Sequence, residues 1–217
     1  MNHPPITQIT TWIESNITSV LAHIDPESIA VYNFIQERFQ TNTVAQDLIF
    51  QFIFRSYYRM DIAGLSPEFK KRYFELMEVC RKQSQLDFTE VVTSLYHIHN
   101  LRKDPRPTVQ FSFISKMFST IDAQRPVYDR EVARMFSYMT TPIGSLEKKL
   151  ETYLHRYEHI QSSYQTILKD NLLPKITNAF DQNFQEHGLS EVKQLDFIFW
   201  AAGKFKKKGS VNAAWKE

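Results

Sequence analysis

The sequence predicts an all-α protein: a single multi-helix globular domain of about ten helices over residues 1–203, then a basic C-terminal tail over 204–217. Three observations predict it. Only 5 Gly and 9 Pro occur in 217 residues, too few to punctuate a β-rich or loop-rich chain. Apolar residues recur three and four apart through most of the sequence, the period of a helix with one buried face. Aromatic content is 14%, with 17 Phe and 10 Tyr, which supplies a core built on large rings. The balance of 42% hydrophobic and 23% charged residues is that of an ordinary globular chain. The length suffices for one sizeable core, or two small lobes sharing an interface.

Taken in order, residues 6–24 carry Ile6, Ile9, Ile13, Ile17, Val20 and Ile24 as one helical stripe. Asp25-Pro26-Glu27 starts a second helix over 27–40, because proline is tolerated in a first turn. Thr41-Asn42-Thr43 is the expected cap of a third helix, 44–59, which is apolar on most sides and therefore expected at the centre. Ser66 and Pro67 open helix 67–83, and Asp87 opens helix 87–100. Arg102 to Pro107 is a basic, proline-punctuated loop. After Thr140 to Gly144 a long polar helix runs from Ser145 to about Asp170. A short helix over 175–186 follows, and a last one begins after the cap Ser190 and closes at Gly203.

Formal net charge is +2, from 26 basic and 24 acidic residues, too balanced to predict a nucleic-acid partner from the total. The basic residues gather at Lys70-Lys71-Arg72, Arg102-Lys103 and Lys204 to Lys208. The single Cys80 excludes an intramolecular disulfide and a cysteine-ligated iron–sulfur cluster, and Met77 and Val79 beside it point to a buried thiol. His155 and His159 lie four apart on one helical face, but no third metal ligand accompanies them, and they read as surface histidines. No metal or other cofactor is expected. Met1 to Thr10 is polar, and no apolar run approaches the length that crosses a bilayer, so a cytoplasmic protein without a membrane partner is expected.

The stretch that looks chemical is Phe111 to Phe136. Lys116 follows Ser115 in an apolar helical run, and Asp129 lies thirteen positions later, beyond Arg125-Pro126-Val127-Tyr128. Proline disrupts a helix interior, so the pattern reads as helix, extended return, then a new helix with Asp129 as its N-cap. From Lys116 to Ile121 a helix advances only ~8 Å. An extended Asp122–Tyr128 segment can span roughly 23 Å, enough to bring the carboxylate back beside the amine. A lysine that attacks carbon must first lose its proton, which burial promotes, and Phe111, Phe113, Met117 and Phe118 can supply that burial. The same residues also fit a helix cap with a partly buried structural ion pair.

A lysine near the start of one helix and an aspartate at the start of the next, joined by this Pro-Val-Tyr-Asp return, resembles the helix-hairpin-helix DNA base-excision glycosylases, in particular their 8-oxoguanine-glycosylase-like branch. The terminal LDFIFWAAGK, Leu195 to Lys204, is similar to the end of such proteins. The stretch Pro107 to Phe113 has no glycine where that family carries a Gly-rich hairpin. The resemblance implies a base glycosylase, with lyase activity as an added expectation, acting on a flipped damaged base in DNA. Lys116 would be the nucleophile at the sugar C1′, and Asp129 would stabilise the developing positive charge.

Around them, Ser112 and Ser115 are candidate contacts to phosphate or base, or simply helix-start residues. Tyr128 and Tyr138 can stack on a flipped base or belong to the core. Arg125 and Arg130 can meet phosphates or be ion-paired. Lys204, Lys206, Lys207 and Lys208 can grip a nucleic-acid backbone or be solvated. The alternative function is a catalytically inactive all-α binding or interaction protein that keeps the scaffold and has a protein partner. The oligomeric state is left open by the sequence.

Overall fold

A computed structural model describes residues 3–101 and 107–214, the side chains of 208–214 excepted. Among the described residues it is all-helical, with eleven helices and no strand beyond an isolated bridge between Leu65 and Asn100.

Helices α1 (Ile6–Glu14) and α2 (Ile17–Leu21) replace the single predicted helix. The Ser15 hydroxyl and the Asn16 amide each bond back to a carbonyl of the last turn of α1, at Thr11 and Trp12 (2.8 Å each), and so end it. Helix α3 (Pro26–Thr41) buries Ile29, Tyr32, Ile35 and Phe39. Helix α4 (Leu48–Tyr57) begins later than expected. Its cap is Asp47, which accepts the Ile49 and Phe50 N–H groups and is held by the Arg38 guanidinium at 2.6 Å. Only Phe50 and Phe54 of α4 are buried, while Leu48 is 76% and Phe52 60% exposed. The helix is therefore peripheral, because its second apolar face meets no other element.

Helix α5 (Pro67–Cys80) starts at Ser66, whose hydroxyl accepts the Phe69 N–H. Cys80 is buried at its end, and burial pushes the thiol up to about 11. Helix α6 (Phe88–Tyr96) is capped by Asp87, as the sequence indicates, but stops short of residue 100. The predicted loop at Arg102 to Arg106 lies outside the described residues. Helices α7 (Phe111–Ile121) and α8 (Arg130–Met135) flank the extended return. Helix α9 (Leu146–Lys169) is the long polar helix, packing Tyr157, Ile160 and Tyr164 inward, and α10 (Pro174–Asn183) is short.

Helix α11 (Glu191–Ala214) does not close at Gly203, and the segment expected as a frayed tail is helical as far as Ala214. Gly203 is there for contact rather than for termination. A Cβ at that position would collide with the backbone of Glu131, so only glycine lets α8 lie so close against α11. Closest packing falls in two sets. One joins α3 to α4 and α7, with α5, α6 and α7 against one another; the other joins α11 to α8, α2 and α9, with α1 and α10 against α2. One continuous hydrophobic cluster runs through both sets. No described helix is long and apolar enough to cross a membrane.

Candidate functional site

A ring-lined cavity of about 330 Å³ opens where the two sets of helices meet, and both Lys116 and Asp129 line it. Lys116 sits midway along α7, half-buried, and its Nζ donates to the Ser112 hydroxyl one turn earlier (3.1 Å). Its nearest rings are Phe113 and Tyr58, at 5.1 and 5.6 Å from their centroids. Burial pushes the Lys116 amine below its ordinary range, the Asp129 charge works against that, and the Arg59 guanidinium adds to it. Among the described residues no carboxylate comes within ion-pair distance of the amine.

Asp129 is the N-cap of α8. Its Oδ1 accepts the N–H groups of Glu131 and Val132 (2.9 Å each), and Oδ2 takes no part in the cap. The cap fixes the carboxylate's position while leaving one oxygen for other chemistry. Arg59, just past the end of α4, also lines the cavity and does so from a left-handed backbone conformation (φ 57°). A non-glycine residue held there carries backbone strain of about 1 kcal/mol or more, and Ser137, Asn171 and Glu186, which do not line the cavity, share a positive φ.

The return segment is stapled at two points. Ser115 Oγ accepts the Tyr128 N–H (3.0 Å) and lies 3.1 Å from the Tyr128 carbonyl oxygen. Two residues before Asp129, the Val127 N–H meets the carboxylate of Asp196 on α11, at 3.0 and 3.2 Å from its two oxygens. Asp196 is in turn paired with Lys193 (2.6 Å), whose Nζ also reaches the Ser119 hydroxyl (2.7 Å). Lys193 and Asp196 are 3% and 6% exposed. Burial holds the Asp196 carboxyl above its usual range, against the opposing pull of Lys193.

The other sequence candidates divide. Ser115 is fully buried and spent on the Tyr128 backbone, so it cannot contact a ligand. Ser112, Tyr128, Tyr138 and Arg130 line a second cavity of about 380 Å³ rather than the first, and Ser112 is linked to the first only through its bond to Lys116. The Tyr128 ring is core: it meets Phe111 and Tyr153 edge-on at 5.5 and 5.7 Å. Tyr138 is tied to His159 (2.6 Å), which is therefore half-buried and not a surface histidine. Arg125 pairs with Asp122 (3.3 Å) and lines neither cavity.

Lys204 lines the first cavity, with its Nζ 3.8 Å from the centroid of Trp200. Lys206 lies 5.9 Å from the Trp12 ring, Lys207 is exposed, and the Lys208 side chain lies outside the described residues. No group of three metal-ligating side chains exists among the described residues.

Arg59, Lys193 and Asp196 are among the lining residues that the sequence did not single out. For Lys193 and Asp196 a signal existed, because opposite charges three apart inside the apolar run Val192 to Ala202 have to be buried together. Arg59 offered none, since its role depends on a chain reversal invisible in the local pattern. Comparison with protein-family models, with curated proteins and with solved structures finds no match to this chain.

Proposed function

We propose that the cavity between the two helix sets is the active site of a DNA base glycosylase with an accompanying lyase step, Lys116 being the nucleophile and Asp129 its electrostatic partner. One observation carries the reading: an amine with a depressed proton affinity and a carboxylate with an uncommitted oxygen line the same 330 Å³ cavity. That volume lies within the range of cavities that hold small ligands, about 300–1,000 Å³. A base flipped out of its stack would enter among Tyr32, Tyr57, Tyr58 and Trp200, rings suited to stacking. Arg59 and Lys204 provide positive charge for the backbone that accompanies it.

The neutral Lys116 Nζ would form a bond to C1′ as the C1′–N bond to the base breaks. The base departs with that electron pair and takes up the proton the amine loses. Asp129 Oδ2 faces the positive charge that grows on the sugar ring. Protonation of O4′ and cleavage of C1′–O4′ then convert the aminal into an imine between Lys116 and the opened sugar.

Borohydride trapping on duplex DNA carrying an abasic site tests this, since an amine condenses with the C1′ aldehyde, water leaves, and reduction fixes the imine. Wild type is expected to give a covalent adduct that Lys116→Ala loses, while Asp129→Asn, whose charge acts as the base departs, slows excision of a damaged base by about a hundredfold. An adduct undiminished in Lys116→Ala would overturn the reading. No adduct, together with no binding to DNA at low salt, would favour the second reading, an interaction protein. The observation behind that alternative is the exposed apolar face of α4, Leu48, Ile49 and Phe52.

A further inference from the structure

We propose that the buried Lys193–Asp196 pair on α11 is a positioning device for Asp129: through the Val127 N–H it fixes the extended return and so sets how close the Asp129 carboxylate stands to the Lys116 amine. This rests on the reading of Lys116 and Asp129 as the reacting pair. The connection is short. Val127 and Asp129 are two apart in extended backbone, so both side chains project to one side, and both line the cavity. The amide between them and α11 is captured by a carboxylate that uses both oxygens, at 3.0 and 3.2 Å.

Lys193 makes that capture rigid. It pins Asp196 Oδ2 at 2.6 Å and bonds to Ser119 on α7, one turn beyond Lys116. The pair therefore ties together the three elements that carry the site: α7, the return and α11. An isolated buried ion pair contributes little net stability compared with apolar residues of the same volume. Keeping one at this point is explained by the geometry it imposes on the return.

The charged and titratable groups lining the cavity around the Lys116 amine are Tyr57, Tyr58 and Arg59 from the end of α4, Asp129 and Glu131 from α8, and Lys193, Asp196 and Lys204 from α11, with Asp25 and Tyr32 from α3. Of these, Asp129 is the one whose charge raises the affinity of Lys116 for its proton. Withdrawing Asp129 from the amine must therefore release that proton more readily, and this supplies a readout that loss of stability alone does not move.

The experiment compares two charge-neutral double variants. Lys193→Met/Asp196→Leu removes the acceptor for Val127 without leaving a buried charge, and Lys193→Met/Asp196→Asn removes both charges but keeps an acceptor oxygen. The pH dependence of Lys116 acylation by an amine-selective reagent is followed by mass spectrometry of the Lys116 peptide on folded protein, with no DNA present. In the Met/Leu variant acylation at a fixed pH below the amine's pKa is expected to run roughly threefold to tenfold faster than in wild type, as in Asp129→Asn. Adding Asp129→Asn to it should bring no further change.

The Met/Asn variant, which keeps the acceptor for Val127 and gives up the Lys193 tether, is expected to lie nearer wild type than the Met/Leu variant. Equal titration of Lys116 in wild type and Met/Leu, or equal displacement in both double variants, would overturn the proposal. If the Met/Leu variant does not fold, Lys193→Met/Asp196→Asn is set against Asp129→Asn, and a Lys116 titration displaced as far in the first, where the acceptor for Val127 is kept, as in the second overturns it equally. Absence of any glycosylase activity would leave these outcomes readable, because the measurement needs no substrate.

Discussion

Two lysine–aspartate arrangements lie within one cavity, and they differ in a way that separates structure from chemistry. Lys193 and Asp196 are three apart on one helix, in contact at 2.6 Å and almost wholly buried, and each has further partners. Lys116 and Asp129 come from different helices, line open space, and are near enough to influence one another without forming an ion pair. The first pair has its charges consumed internally. The second leaves an amine with lowered proton affinity and a carboxylate oxygen outside its cap, the state that nucleophilic chemistry needs. The closed pair shows a buried cation whose counter-charge touches it, and the open pair one from which that contact is withheld.

The closed pair is damaged most by the loss of one member. Lys193→Met leaves Asp196 buried without its counter-charge and should lower stability by about 3–5 kcal/mol at neutral pH, measured by urea unfolding. The pH dependence has a definite sign. Burial already raises the folded-state pKa of Asp196 above its unfolded value of 3.8, so the folded protein holds a proton that the unfolded chain releases. Stability then falls as pH rises through that window, and removal of Lys193 widens it. The deficit of Lys193→Met should therefore shrink as the pH is lowered toward the unfolded-state value. A deficit independent of pH would mean that Asp196 is not the group left unpaired.

The open pair is vulnerable from the opposite side, at the crossing of α8 and α11. Gly203→Ala would drive a methyl group into the Glu131 backbone. Separating the two helices to admit it should cost about 3 kcal/mol. Because Glu131 lies two residues beyond Asp129, the displacement moves the open pair's carboxylate, while Lys193 and Asp196 stay on α11 more than one turn away. A rate of abasic-site trapping per folded molecule that differs from wild type would register this. Trapping in simple proportion to the folded fraction would show that the α8–α11 contact matters to stability alone.

Gly203 also marks where sequence reading stops. A glycine after an apolar helical run reads as a terminator, because local pattern carries the φ preference of glycine but not the approach of a distant backbone. The same limit explains α4. Its residues have the composition of a core helix, yet which apolar faces find partners is decided by packing, and Leu48 and Phe52 find none. By contrast, the caps at Ser66, Asp87 and Asp129 were legible because each satisfies N–H groups within three residues of itself. Lys116 and Asp129 were readable for a related reason: a proline-bearing return of known length fixed what they could reach. Ser115 and Tyr128, singled out beside them, turned out to be the staple that holds the return. Spacing shows that residues are near, not which of them face the cavity.

An amine whose folded-state pKa lies below its ordinary 10.5 is one that folding penalises. Between the two values the unfolded chain binds the proton and the folded chain does not, so stability rises with pH across that window and the penalty is fully present below it. Lys116→Met removes the penalty, keeps an unbranched side chain among Phe113 and Tyr58, and gives up one hydrogen bond to the half-buried Ser112. The net expectation is a gain of about 1 kcal/mol at neutral pH, seen as a rise in Tm of about 2–4 °C. That gain should fade as the pH approaches 10, and trapping should be abolished throughout. A lowered Tm would place Lys116 with Lys193 as a structural cation. A raised Tm with lost trapping would show that the fold holds this amine at a cost, and chemistry at Lys116 is what accounts for keeping it.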